Sequence, residues 1–471
     1  MKRNLRPSFT VREQLPYRIL VVFLVVVFLT GGGARGDIQS LLILRPLAII
    51  VAGIGMLGLR WGHVRTHSFV FAGLAACYAF ILLHALPLPP ALWQALPGRE
   101  LVVDIDRTVG LGRIWRPLSL APAATWNAFF ALFVPLAVAI LAAQLSREQL
   151  NRLVPVILII GLVSGLMGAL QLMSPSDSPL YLYRITNSGQ AVGLFSNRNH
   201  QAIFLALLIP LLAVFAGARG PNERGAGRSA VRHWTMLAGL VVLVPLILIT
   251  GSRTGLIVGL VGLVALPAIG DIRGTLRSTL LIKASRTGLA IGSALLVGTT
   301  GLTIYLSRAQ ALDRLFRSAG DDELRLRVWA PILDMGWKYF PIGSGIGSFV
   351  ETYWIDEPRQ LLRATYLNHA HNDWLEIFLT AGLLGVLLAL LGVAGMVWLA
   401  IKVFRKERES GSSLARGGAV IAFLLVLASL ADYPLRTPSL ASVFVVALIW
   451  LARGARDKNG SDGNLARLRD A

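Results

Sequence analysis

Apolar runs about as long as a bilayer-crossing helix, roughly 20 residues, recur along the whole chain and leave room for little but helices. They fall near 18–31, 41–59, 68–86, 123–143, 152–173, 201–217, 234–250, 254–269, 288–306, 374–401, 417–431 and 437–452. Of the 471 residues 55% are hydrophobic and only 15% charged, with a mean hydropathy of +0.65. No soluble core of this size is so apolar. The expected fold class is therefore all-α: a polytopic membrane protein of about 12 transmembrane helices, with a long, partly helical periplasmic segment before the tenth. The division expected along the chain is an N-terminal transmembrane region over 1–306, a periplasmic loop segment over 307–373, a C-terminal transmembrane region over 374–452 and a basic tail over 453–471.

The net charge of +20 does not point to nucleic acid, because the cations sit in short loops between apolar runs, where they set orientation. With the basic start (Lys2, Arg3, Arg6, Arg12) kept inside, alternation places both termini in the cytoplasm. Inside segments then carry 27 Lys and Arg, outside ones 18, or 10 without the eight of the long segment 307–372. The first run lacks a small-residue cleavage site after it and reads as a membrane helix rather than a signal peptide. The single cysteine, Cys77, excludes disulfide frameworks, cysteine-based zinc sites and redox pairs.

The loops differ in kind. Inside loops 219–233, 271–286 and 402–416 are rich in Arg, Lys, Gly and Ser and read as topology determinants. The outside segments 87–122, 174–200 and 307–372 are longer. The first contains an apolar stretch, 89–97, suited to the membrane interface. In the last, Leu324, Val328, Ile332 and Met335 predict a helix over 321–339 that Pro331 should bend or restart. A glycine-rich turn, Pro341-Ile342-Gly343-Ser344-Gly345-Ile346-Gly347, follows.

Sorted by side, the unusual polar residues gather on one face. Asn197-Arg198-Asn199-His200 stands at the outer end of the sixth run, and Gly251-Ser252-Arg253-Thr254 forms a very short outer turn. Arg325 and Arg327 lie in the long outer segment, and Asn368-His369-Ala370-His371-Asn372-Asp373-Trp374-Leu375-Glu376 leads into the tenth run. Asp432, Tyr433 and Arg436 occupy the last outer turn. Histidine titrates near neutrality and moves protons, and guanidinium forks match phosphate oxygens. A lipid-borne diphosphate fits such a rim, its tail in the bilayer. The competing bland readings are interfacial anchoring for Arg198, Arg253 and His200, pairing of the Arg325–Arg327 region with Asp321 to Glu323, helix capping by the 368–376 stretch, and a simple polar hairpin at 432–436.

Other chemistries fit less well. Asp104-Ile105-Asp106 is the one outer Asp-x-Asp and lies in a different loop. The i,i+2 pair His369 and His371 has no assigned third ligand for zinc. A P-loop and a Gly-x-Ser-x-Gly elbow are absent.

Four stretches together resemble the O-antigen ligase and Wzy-type polymerase superfamily of bacterial envelope glycan enzymes. They are Gly193 through His200; Gly251-Ser252-Arg253-Thr254-Gly255; Arg327-Val328-Trp329 through Phe349; and His369 through Glu376 followed by Gly382-Leu383-Leu384-Gly385. The resemblance implies a metal-independent, inverting glycosyl transfer from an undecaprenyl diphosphate-linked glycan at the periplasmic face of the bacterial inner membrane, with no cofactor. It implies His371 as general base with His369 in support, Arg253 and Arg198 as diphosphate ligands and Arg327 as a weaker third. His200, where relatives are less polar, stands as a second acid–base candidate; Asn372, Asp432 and Arg436 complete the supporting set. The implied acceptor is lipid A-core for a ligase or a second lipid-linked glycan for a polymerase, both reached through membrane lipids. A lipid-linked glycan transporter is the alternative of another class. Its cations should line a path through the membrane rather than one rim.

Overall fold

The computed structural model describes residues 11–217, 226–270, 320–362, 367–406 and 412–456, together with Gly298 and Gly301. Within them the regular structure is helical apart from one antiparallel pair of two-residue strands. The elements in order are α1 (Val11–Thr30), α2 (Leu41–Met56), α3 (Trp61–Thr66), α4 (Ser68–Ala85), β1 (Pro87–Leu88), α5 (Pro90–Gln94), α6 (Glu100–Thr108), β2 (Arg116–Pro117), α7 (Pro122–Ala131), α8 (Phe133–Ala143) and α9 (Arg147–Met173). Then come α10 (Arg198–Gly217), α11 (Ala226–Leu248), α12 (Arg253–Val264), α13 (Leu266–Ile269), α14 (Gly320–Lys338), α15 (Phe349–Asp356), α16 (Asp373–Arg405), α17 (Ser412–Ala428) and α18 (Pro438–Arg456).

Eleven of the apolar runs coincide with these helices; the run at 288–306 lies outside the described residues. Seven helical stretches are long and apolar enough to cross a membrane: Glu13–Thr30, Ser68–Ala85, Pro122–Ala143, Arg147–Met173, Arg198–Gly217, Asp373–Arg405 and Pro438–Arg456. Four more are apolar but shorter, namely Leu41–Met56, Trp234–Leu248, Arg253–Val264 and Ser412–Ala428.

The bundle is built around α10, whose residues from Asn199 to Val214 are all buried. It packs against α9, α11, α12 and α17. Small residues permit the close approach. Gly161 of α9 leaves space for Leu208, Gly165 for Leu205 and Leu246, and Gly255 of α12 rests on Ala202. At one end of the bundle, cations close helix C-termini: Arg453 Nη1 donates to Leu145 O at 2.6 Å, and Lys406 Nζ donates to Gly454 O and Ala455 O at 2.7 and 3.0 Å. Such pairing satisfies end carbonyls and suits the negative pole of the helix dipole. The opposite end carries the first turns of α10, α12, α16 and α18.

A proline and a glycine act differently on the helices of that opposite end. Pro331 does not restart α14, which runs continuously from Gly320 to Lys338; a proline removes a single N–H, and the apolar face Val328, Ile332, Met335 and Tyr339 is buried along it. By contrast α16 breaks at Gly382, where φ is 60° and ψ −156°. The glycine-rich turn supplies the lost partners. Ser344 N donates to Leu379 O at 3.0 Å, Gly345 N to Thr380 O at 2.8 Å, and Leu383 N to Pro341 O at 2.9 Å. A side chain at Gly382 would collide with the backbone of Pro341 and Ile342. The same turn is tied to the 87–122 segment by the buried Arg99, which donates to Leu118 O at 3.0 Å and Gly343 O at 3.2 Å and lies over the rings of Trp93 and Tyr339. Burial lowers the Arg99 guanidinium to about 10, with Tyr339 and Glu100 opposing the shift.

Candidate functional site

The segment 368–376 reaches α16 through a sharp reversal. His371 adopts a left-handed backbone with φ 50°, uncommon for a residue with a side chain. On one side of it Ala370 N donates to Glu376 Oε2 at 3.0 Å; on the other Asn372 Oδ1 accepts from Trp374 N and Leu375 N, the cap of α16. Capping therefore belongs to Asn372, while both imidazoles face other groups.

Each imidazole stands over a buried carboxylate. His371 Nδ1 lies 3.7 Å from Oδ1 of Asp432, which has no exposed surface. That is ion-pair range, longer than a hydrogen bond. His200 Nε2 approaches the same oxygen at 3.5 Å, and its Nδ1 lies 3.0 Å from Thr437 Oγ1. Asn199 Nδ2 donates to Asp432 Oδ2 at 2.8 Å and Tyr433 N to Oδ1 at 2.9 Å. Burial alone would push the Asp432 carboxyl up, but the flanking His200 and His371 hold it well below the ordinary carboxylate range. The second pair is His369 with Glu376, 3.0 and 3.2 Å from Nδ1 to the two carboxylate oxygens.

Arg436 locks the second pair to the last turn. Its Nε donates to Asp373 Oδ1 at 2.7 Å and its Nη1 lies 2.9 Å from Glu376 Oε1. Asp373 and Glu376 share a face because they are i,i+3 on the first turn of α16. Burial would lower the guanidinium, but Glu376 and Asp373 raise it. Between the two pairs stands Tyr433. Its ring centre is 4.4 Å from that of His369, 4.9 Å from His200 and 5.0 Å from His371, and its hydroxyl accepts long contacts from Asn197 and Asn368 at 3.4 and 3.5 Å.

The cationic candidates sit on neighbouring elements. Arg198 is the first residue of α10, whose next turn supplies Asn199 and His200, and Asn197 Oδ1 accepts from Asn199 N at 2.8 Å. Arg253 is the first residue of α12, held to α10 by Gly255 on Ala202, with Ser252 capping at 3.1 Å from Gly255 N. Both N-termini thus stand at the same end of the bundle, their dipoles adding to the cationic field. Arg327 is exposed on α14, two residues before Trp329, whose Nε1 donates to Ala370 O at 3.2 Å. The side chain of Arg325 lies outside the described residues.

The structure therefore brings His371, His369, His200, Asp432 and Arg436 together around Tyr433, with Asn372 beside them as the cap of α16, and sets Arg198, Arg253 and Arg327 on the elements around them. His200 is 1% exposed, with its Nε2 toward Asp432. The sequence placed Asn199, Asp373, Glu376 and Tyr433 on this face without a role for them, and Thr437 was not singled out. The i,i+3 spacing of Asp373 and Glu376 opposite one arginine was the available signal. The Asp104–Asp106 pair is engaged locally: Asp106 accepts from Arg116, and Asp104 lies 3.6 Å from Arg107. Among the described residues no group of three His, Cys, Asp or Glu is arranged to hold a metal ion.

Residues 238–390 match the family model described as O-antigen ligase (Wzy_C). The match runs from α11 into α16 and takes in Arg253, Arg327, the glycine-rich turn, His369 and His371; Arg198, His200, Asp432 and Arg436 lie outside it. No curated protein matches the chain.

Proposed function

From the match of residues 238–390 to the O-antigen ligase family model, we propose that this chain is a glycan ligase of the membrane, working at the bundle end that carries His371. The donor is a glycan on undecaprenyl diphosphate, and the acceptor is a hydroxyl of lipid A-core at the periplasmic face. Arg253 and Arg198 hold the diphosphate, with Arg327 at the margin. His371 takes the proton of the acceptor hydroxyl on Nε2 as that oxygen bonds the anomeric carbon. The glycosidic bond to phosphate breaks, and its electron pair leaves on the diphosphate, where fixed cations stabilise the growing charge. Attack opposite the leaving group inverts the anomeric centre, and no metal or cofactor enters the step.

The observation that carries this reading is the placement of partly exposed His371 over the fully buried carboxylate of Asp432. A carboxylate at Nδ1 favours a proton there, which leaves Nε2 as the accepting nitrogen. The test is transfer by purified protein from a lipid diphosphate-linked glycan, supplied with or without lipid A-core. His371→Ala should lower the rate by about 10²- to 10⁴-fold, and Arg253→Ala should weaken donor use. Elongation on donor alone would make the protein a polymerase. Variants as active as the wild type would return the rim to a structural role and favour the transporter.

A further inference from the structure

Away from this network, α2 carries a cation that nothing so far employs. Arg45 stands in the second turn of a helix whose neighbouring residues Leu42 and Ile43 are 79% and 66% exposed. Among the described residues its guanidinium has one hydrogen-bond partner, Asn127 Oδ1 on α7, and no carboxylate; its Nε is buried without a partner. A side chain at Gly36 would collide with the Asn127 amide, so the loop leading into α2 closes over the pair. An arginine intended only as an interfacial anchor extends towards the headgroups. This one is turned inward against an amide, with donor capacity left over.

The surface beside it is apolar and aromatic. Trp126 and Phe130, on either side of Asn127 along α7, are 44% and 41% exposed, and they belong to a cluster with Phe129, Phe133 and Tyr78. This face is also linked to the His371 end of the bundle through backbone: Ser196 N donates to Gly32 O at 3.1 Å and Ser439 N to Gly31 O at 3.0 Å, so the loop preceding α2 rests on the starts of α10 and α18.

We propose that Arg45 and Asn127 form a second lipid-phosphate site, which holds the phosphate of the acceptor lipid while its chains lie along the Trp126–Phe130 face. The assignment to the acceptor rests on the function proposed above, in which Arg198 and Arg253 serve the donor. Phosphate oxygens complete the guanidinium's donors through charge-assisted bonds.

Binding of lipid A to the full-length protein in phosphatidylcholine nanodiscs tests the site without any transfer reaction. With the R198Q/R253Q protein as background, lipid A should remain bound, and adding R45Q should lower its affinity about tenfold or more, with R45K restoring most of it. N127A, which keeps the charge but frees it, should produce a smaller loss and serves as the reading if R45Q fails to melt cooperatively. Unchanged affinity in both variants overturns the site. Displacement by excess phosphatidylglycerol also overturns it, reducing Arg45 to a headgroup anchor. Where transfer is measurable, R45Q should raise the KM for the acceptor and leave that for the donor unchanged; a failure of the transfer chemistry leaves the binding result standing.

Discussion

Asp432 and Tyr433 organise the reaction end from adjacent positions in one turn. Asp432 is fully buried yet held charged, because two imidazoles, an amide and a backbone N–H surround its oxygens. Asp432→Asn preserves the shape but removes the charge that fixes His371. We expect a fall in kcat of about 10²-fold or more with the donor KM little changed, read by steady-state transfer. The Tyr433 ring packs against all three imidazoles. Tyr433→Phe should therefore stay within about threefold of wild type and Tyr433→Leu should lose about tenfold or more, since ring packing is the larger contribution. Equal losses in both would locate the effect in the hydroxyl. At this scale the sequence showed which residue types were present but not which paired. His369 and His371 stand only two residues apart, yet they reach different carboxylates because the left-handed backbone at His371 reverses the chain between them.

Among the elements, the break in α16 is the most demanding piece of local structure. The combination of φ 60° and ψ −156° at Gly382 belongs to glycine alone. Gly382→Ala should lower stability by about 3 kcal/mol or more, read by thermal melting in detergent; a melt like that of wild type would mean the kink relaxes. The run at 374–401 was legible from hydropathy, whereas its interruption was not, because the cause lies some 40 residues earlier in the glycine-rich turn. At the other end of the bundle His67, between α3 and α4, is buried. Burial is the main cause of its fall from 6.5 to about 4; the nearby Arg453 adds to it, and a bond to His63 O opposes it. A folded-state value below the unfolded one means the unfolded chain binds the proton first. Stability should accordingly be flat above about pH 6.5 and decline towards about pH 4, by up to ~3 kcal/mol. His67→Gln should flatten that part of the profile, which a pH series of melting midpoints for the two proteins checks.

For the whole molecule, the charge pattern of the loops predicts which end of the bundle faces the cytoplasm. Reporters fused after Arg228 and after Arg359 should read cytoplasmic and periplasmic respectively, and the reverse result would invert the site's compartment. The helical class and eleven of the twelve apolar runs were legible because hydrophobic length alone dictates them. The gathering of α10, α14, α16 and the 432–436 turn at one end was legible only as a common side, since contacts between distant helices leave no local signature. The mended break in α16 carries one consequence for biosynthesis. The peptide groups freed at Gly382 lie about 13 Å along the helix from its start, and their partners, Pro341 to Gly345, precede them in the chain. During synthesis the turn leaves the ribosome before the helix that needs it. The partners that close the break are thus already made when the helix that needs them is synthesised.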